Sequence, residues 1–399
     1  MKILVINCGS SSLKYEVYQM PEQISLGKGQ VERIGLENSF LNQECGGETF
    51  HLDKPAPTHK EAFEMMIDAL LSSKCKLIDS PDEISGVGHR VVHGGEDYAR
   101  SVVIDDKVIK AIEDNIELAP LHNPANLIGI RQSMEIFKDI PQVAVFDTSF
   151  HQTMPPSAYL YGLPRELYDK YRIRRYGFHG TSHRYVSNVA LQLMKRSAEN
   201  TNMITCHLGN GASITAIQKG VSIDTSMGFT PLEGLMMGTR SGDLDPSIIF
   251  YLEERGYSMK ELNIMLNKKS GLLGLSGISS DLRDLEAAAE AGNANAIQAL
   301  DTYAYRIRRY IGAYAANLVK LDIIVFTGGI GENGVKMRHR ICNRLENIGI
   351  HINPELNKEV GSQPGVISRA YSPVTILVIP TNEELQIAMD THELVSVSC

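Results

Sequence analysis

Short-spaced cysteine pairs are missing from this 399-residue sequence: Cys8, Cys45, Cys75, Cys206, Cys342 and Cys399 are scattered, with no C-x-x-C among them. That spacing excludes a zinc ribbon and gives no sign of a disulfide framework, so a reducing compartment is expected. Basic residues are in deficit, 39 Lys and Arg against 47 Asp and Glu for a net charge of -8. General nucleic-acid affinity is therefore not expected, although locally clustered cations could still hold an anionic ligand. No stretch approaches the length of a membrane span. The apolar run at residues 3–6 is too short for the core of a signal peptide. A cytoplasmic protein without membrane or nucleic-acid partners is the expectation. Also absent are a low-complexity linker and the P-loop pattern G-x-x-x-x-G-K-[ST].

What is present is a chain that is 43% hydrophobic and 22% charged, long enough for two domains. It opens with an apolar run, Ile3 to Ile6, then Asn7-Cys8-Gly9-Ser10-Ser11-Ser12, then an alternating run at Leu13, Tyr15 and Val17. This predicts a strand, a Gly/Ser turn and a second strand. The segment "NMITCHLGNGASITAIQKG" at residues 202–220 repeats the form, with Gly209 matching Gly9 at an offset of 209 − 9 = 200. The chain is about twice that length, which points to an internal duplication. Helical periodicity marks residues 58–73, two helices split by Pro120 and Pro124, and long stretches at 258–274 and 284–321. Residues 43–54 read as strands, 142–152 as a buried strand entering a polar loop, and 322–352 as strand, Gly-rich loop, helix and strand. The end reads as a strand and then a helix capped near Thr381 or Asn382. Alternating strands and helices make the class α/β.

A Gly/Ser turn offers backbone N–H groups and hydroxyls without bulk, which suits phosphate oxygens. Here the turn leads into a strand rather than a helix, so any phosphate would be held by a hairpin. Two such tips from duplicated domains could share one polyphosphate. The sequence resembles, in this arrangement, the acetate and sugar kinase, heat-shock chaperone and actin superfamily. "INCGSSSLKYEVY", "GHRVVHGG", "LHNPAN", "VAVFDTSFH", "RRYGFHGTSH", "CHLGNGASI", "DTSMGFTPLEGLMMGTRSGDLDP", "SDLRDLE", "TGGIGENG" and "TNEE" are similar to the motif set of the acetate kinase family, in its order and over nearly the whole chain.

The resemblance implies two duplicated ribonuclease H-like (actin-like ATPase) domains flanking a nucleotide cleft. One would cover 1–150, with the C-terminal helix 383–399 packing back on it. The other, 151–382, would carry most nucleotide contacts and a homodimer interface. The implied reaction is reversible, Mg²⁺-dependent phosphoryl transfer between ATP and acetate, giving acetyl phosphate and ADP, with Mn²⁺ as an alternative ion. Acetate is ionised at neutral pH, so no base is needed to activate it, and charge stabilisation and positioning should carry the catalysis. By resemblance Arg90 binds acetate, Arg240 acts on the phosphoryl group, and His179 donates to its oxygens, with His122 in support. The family assigns Asp147 as an acid/base; with no proton to remove, it is expected instead to position an arginine, or Mg²⁺ through water. Asn7 and Glu383 match the metal positions. Lys14, Ser10, Ser12 and the run His207, Leu208, Gly209, Asn210 and Gly211 are placed at the phosphates. Asp281, Leu282 and Arg283, with Gly329, Ile330, Gly331, Glu332 and Asn333, are placed around the adenosine. Val92, Leu121, Phe178 and Pro231 match the acetate-methyl pocket, and a pocket of that kind discriminates a methylene by only about 1–3 kcal/mol.

Three other readings are weighed. "GIGENG" fits the dinucleotide pattern G-x-G-x-x-G, with Glu355 about twenty residues on, but too little sequence follows it for a doubly wound domain. Of non-catalytic ATP binders, a sugar-sensing repressor would be expected to carry a helix-turn-helix ahead of the first strand, which here begins at residue 2, and an actin-like filament former would not need Arg90 and Arg240 together. A propionate or butyrate kinase would use the same machinery.

Overall fold

The computed structural model describes residues 1–72, 74–120, 122–361 and 363–398. Among these, no helix is long and apolar enough to cross a membrane. The chain divides into two compact units, Met1–Gln152 with Asn382–Cys399, and Thr153–Thr381.

The first unit is built on β1 (Lys2–Cys8), β2 (Ser12–Gln19), β3 (Ile24–Glu32), β4 (Phe40–Cys45), β5 (Glu48–Asp53), β6 (Ile84–Val91), β7 (Val102–Val103) and β8 (Gln142–Phe146). They form one sheet in the order β5-β4-β3-β2-β1-β6-β8-β7. The β1–β2 pair is antiparallel, while β1–β6 and β6–β8 are parallel. Both faces of β1 are covered, which is why it reads as a continuous apolar run. Leu4 and Ile6 pack with Phe63, Met66 and Leu70 of the helix His59–Ser72. Ile3 and Val5 pack with Ile387 and Ala388 of the C-terminal helix Glu383–Ser398. That helix lies so close to β6 that a Cβ on Gly88 would sit 2.3 Å from Thr391 Oγ1 and 2.6 Å from Ile387 Cγ2. Its start is capped by Asn382, whose Oδ1 accepts Leu385 N–H at 2.8 Å.

The second unit contains β9 (Asn202–Leu208), β10 (Ala212–Gln218), β11 (Val221–Thr225), β12 (Ile323–Thr327), β13 (Gly365–Val366) and β14 (Thr375–Val378). Their order is β11-β10-β9-β12-β14-β13. Here too the first hairpin is antiparallel, β9–β10, and β9–β12 and β12–β14 are parallel. The shared pattern of three antiparallel strands followed by two parallel ones is the duplication in structural form.

Three local readings change. No disulfide framework is expected from the scattered cysteines, yet Cys45 and Cys75 are bonded, with Cα atoms 5.4 Å apart. The two lie 30 residues apart. They meet because β4 ends beside the segment following the helix His59–Ser72, a tertiary contact that spacing does not reveal. The Gly-rich segment expected as a loop is a short helix, Gly328–Asn333, and the strand expected at the end of residues 322–352 is reduced to the isolated bridges Ile350↔Val374 and Ile352↔Ser368. The long stretch at 284–321 is two helices, Leu282–Glu290 and Ala294–Asn317, parted at Gly292 with φ 87°.

Candidate active site

In the first unit the parallel strands β6 and β8 deliver Arg90 and Asp147 side by side at their C-terminal ends. Asp147 accepts two bonds from one guanidinium, Arg90 Nε to Oδ1 at 3.1 Å and the second from a terminal nitrogen to Oδ2 at 2.7 Å. This bidentate grip fixes the plane of the fork, and the Asp147 carboxylate is the chief cause holding the arginine above its ordinary value. Arg90 stays 26% exposed against 3% for Asp147, so one partner is a buried holder and the other reaches outward. Glu383, at the start of the C-terminal helix, lies 3.9 Å from Arg90 Nε. Burial, with Asp147 and Glu384 nearby, pushes its carboxyl up to about 7 despite Arg90 and Lys14.

The loop after β6 is stitched by two asparagines from "LHNPAN". Asn126 Oδ1 accepts Val92 N–H at 3.1 Å, and its Nδ2 donates to Cys8 O at 2.9 Å. Asn123 Oδ1 accepts His93 N–H at 3.2 Å, and its Nδ2 donates to His93 O at 3.0 Å. His122 occupies the N-cap position of the helix Asn123–Ile136; Leu121 lies outside the described residues. The first hairpin tip closes through Gly9 N–H to Ser12 O at 2.8 Å, and His59 Nε2 lies 2.8 Å from Gly9 O. Ser10 and Lys14 are exposed, Ser12 and Asn7 half-buried, and Asn7 and Lys14 are cross-strand neighbours.

In the second unit the equivalent tip closes through Gly209 N–H to Gly211 O at 3.0 Å. Around it the donors converge. A Cβ built on Gly211 would lie 3.6 Å from His179 Nε2 and 3.7 Å from a terminal nitrogen of Arg240. Arg240 donates to Pro231 O at 3.3 Å and to Met237 Sδ at 3.8 Å. No carboxylate pairs with it among the described residues, and burial lowers its pKa. A half-buried guanidinium without an anion is a ready receptor for one. His179, at φ 58°, stacks on His207 with ring centroids 4.2 Å apart. Its Nδ1 bonds Ser213 Oγ at 3.0 Å, which also meets His183 Nε2 at 2.7 Å. Ser182 Oγ bonds His207 Nδ1 at 2.8 Å. Phe178 and Leu208 are buried.

A cavity of about 470 Å³ extends from this tip, lined by Gly209, Asn210, Ser280, Asp281, Leu282, Arg283, Glu286, Gly329, Ile330, Asn333 and Gly334. Arg283, 89% exposed, is held by Asp281 through bonds of 3.1 and 2.6 Å. That bond keeps the Asp281 carboxyl down at about 2. Gly331 and Glu332, placed with this group by resemblance, are not in the lining. Glu332 Oε1 instead accepts Gly328 N–H at 2.9 Å and Thr381 N–H at 3.1 Å.

The supporting residues Asn123, Asn126, His59, Ser182, His183 and Ser213 escaped sequence reasoning. Most lie inside the quoted motifs, so the signal was present, but only the fold shows what each one holds.

The acetokinase family model matches residues 2–389. The chain belongs to the acetokinase family. Among acetokinase relatives, an acetate kinase of Clostridium botulinum is 55% identical over 395 residues, 99% of both chains. A crystal structure of Porphyromonas gingivalis acetate kinase is 48% identical with a TM-score of 0.95, covering 99% of both chains. A propionate kinase from Francisella tularensis is 44% identical with a TM-score of 0.92, over 98% of this chain and 99% of that one. The two mixed α/β sheets of this acetokinase chain thus follow the fold of solved acetate kinases.

Proposed function

We propose that this protein is an acetate kinase, transferring the γ-phosphoryl group of ATP to acetate and back. The observation that carries the reading is the anion receptor of the second unit: Arg240, without a carboxylate partner among the described residues, beside His179 Nε2 and Gly211. Phosphoryl transfer needs donors aimed at oxygens that gather charge, more than it needs a base. The second unit would hold the triphosphate there, with the adenosine in the 470 Å³ cavity. The first unit would hold acetate on Arg90, whose fork Asp147 orients, with Val92 beside it. Ser10, Ser12 and Lys14 are the first unit's phosphate donors.

Among the described residues no cluster of three or more His, Cys, Asp or Glu could hold a metal unaided. Hard oxygen donors on Asn7 and Glu383 nevertheless suit Mg²⁺, which keeps several waters and takes phosphate oxygens. Among the described residues Glu383 makes one ion pair, 3.9 Å from Arg90 Nε, and its side chain stays 20% exposed. Bound there, Mg²⁺ would neutralise phosphate charge.

The test is to mix pure protein, ATP, Mg²⁺ and acetate and trap the product with hydroxylamine. Hydroxamate is expected; none from folded protein would reject the assignment. The likeness to a propionate kinase keeps propionate as the second reading, separated by initial rates across short-chain acids. For the assembly, exposed Phe250, Tyr251 and Met259 on the helices Ser247–Glu253 and Met259–Lys268 support a homodimer through the second unit. Light scattering should then give twice the 44.1 kDa chain mass.

A further inference from the structure

One wall of the cavity is the helix Gly328–Asn333. Six residues are too few to hold helical geometry unaided. Two charged side chains grip it from its ends, and neither lines the cavity. Glu332, in the helix itself, turns its carboxylate back to the N-terminal end, where Oε1 accepts the Gly328 and Thr381 N–H groups. At the C-terminal end stands Arg338, from the next helix, Val335–Cys342.

Arg338 is 0% exposed. One terminal nitrogen donates to Gly331 O at 2.9 Å and Glu332 O at 2.7 Å. The other donates to Asn357 O at 2.9 Å, and Nε donates to Asn357 Oδ1 at 2.7 Å. Asn357 is fixed in turn by donating to Val335 O at 2.9 Å. No carboxylate pairs with the guanidinium among the described residues, and burial brings its pKa down to about 10. A buried cation without a counter-charge is costly, and packing alone would be served by an apolar side chain. What Arg338 has in exchange is four directed bonds, two of them to carbonyls at the negative end of the short helix. An apolar residue could fill that space but could not orient those carbonyls.

We propose, resting on the nucleotide reading above, that Arg338 is a positioning residue for the nucleotide: it presets the helix Gly328–Asn333 so that Gly329, Ile330 and Asn333 form the cavity wall before the base arrives. A preset wall spares the nucleotide the cost of ordering it, so the contribution appears in affinity.

The experiment compares full-length wild type with Arg338→Met and Arg338→Lys. It measures ADP binding by calorimetry and the KM values for ATP and acetate at a temperature where each variant is folded. For R338M, ADP affinity should fall at least tenfold and the KM for ATP should rise by a similar factor. The KM for acetate and kcat at saturating ATP should stay within about threefold. R338K, with one ammonium for four acceptors, should fall between. A merely structural arginine would lower the melting temperature and leave ADP affinity of the folded protein unchanged, and that result overturns the proposal. If R338M does not fold, R338K decides: an ADP affinity within threefold of wild type refutes the role, and a greater loss at unchanged acetate KM upholds it. A wild-type protein that binds no ADP would instead sink the nucleotide reading itself.

Discussion

Replacing Asp147 by Asn tests whether this carboxylate acts by holding Arg90. The substitution keeps one side-chain oxygen and turns the other into an N–H donor facing the guanidinium. One of the two bonds, at 3.1 and 2.7 Å, must go. A hydrogen bond to a charged group contributes about 1.5–3 kcal/mol. Glu383, 3.9 Å from Nε, can recover only a little of that. Free of its plane, the fork meets a carboxylate in the right orientation about 10–100-fold less often, at about 1.4 kcal/mol per tenfold. The KM for acetate should rise by that factor, while the Mg²⁺ concentration for half-maximal rate and the KM for ATP stay near wild type. Hydroxamate formation at varied acetate and Mg²⁺ measures all three. An acetate KM within twofold of wild type, or a shifted Mg²⁺ midpoint in its place, would refute the reasoning.

Gly88→Ala forces a Cβ against Thr391 and Ile387 and should cost about 1–3 kcal/mol; a urea midpoint equal to wild type would contradict the close packing of the helix that carries Glu383. His89 is buried, with Nε2 2.7 Å from Gln142 Oε1, and burial pushes its pKa down to about 4. Above about 6.5 it is neutral in both states. As pH falls from about 6.5 to about 4 the unfolded chain takes up a proton that the folded one refuses, so stability should decline by about 3 kcal/mol across that window. Urea unfolding at several pH values checks this, and His89→Gln should flatten the decline. Reducing the Cys45–Cys75 bond, which closes a 30-residue separation, should lower stability by up to about 3–4 kcal/mol. Unchanged unfolding with and without reductant would mean that the two thiols are not bonded in solution.

The two hairpins and their offset of 200 were legible because strand alternation and Gly turns are local signals, and the duplicated sheet order follows from them. Arg90, Asp147, His179 and Arg240 are named through the resemblance of the motifs that carry them to the acetate kinase family. The Arg90–Asp147 grip appears only when two parallel strands, far apart in sequence, bring their ends together. The same is true of the Cys45–Cys75 bond. Glu332 shows the opposite limit: its place in a Gly-rich motif suggested a ligand contact, whereas its carboxylate bonds Gly328 and Thr381 backbone. Arg338 carried no local signal, since a basic residue in a polar helix reads as solvated until the fold buries it.

The central claim is that a carboxylate and ATP exchange a phosphoryl group on this protein, and the reverse direction tests it most directly. Pure protein supplied with acetyl phosphate, ADP and Mg²⁺ should produce ATP, followed by a coupled hexokinase assay, at a rate that vanishes when acetyl phosphate is omitted. Folded, ADP-binding protein that yields no ATP from acetyl phosphate would contradict it.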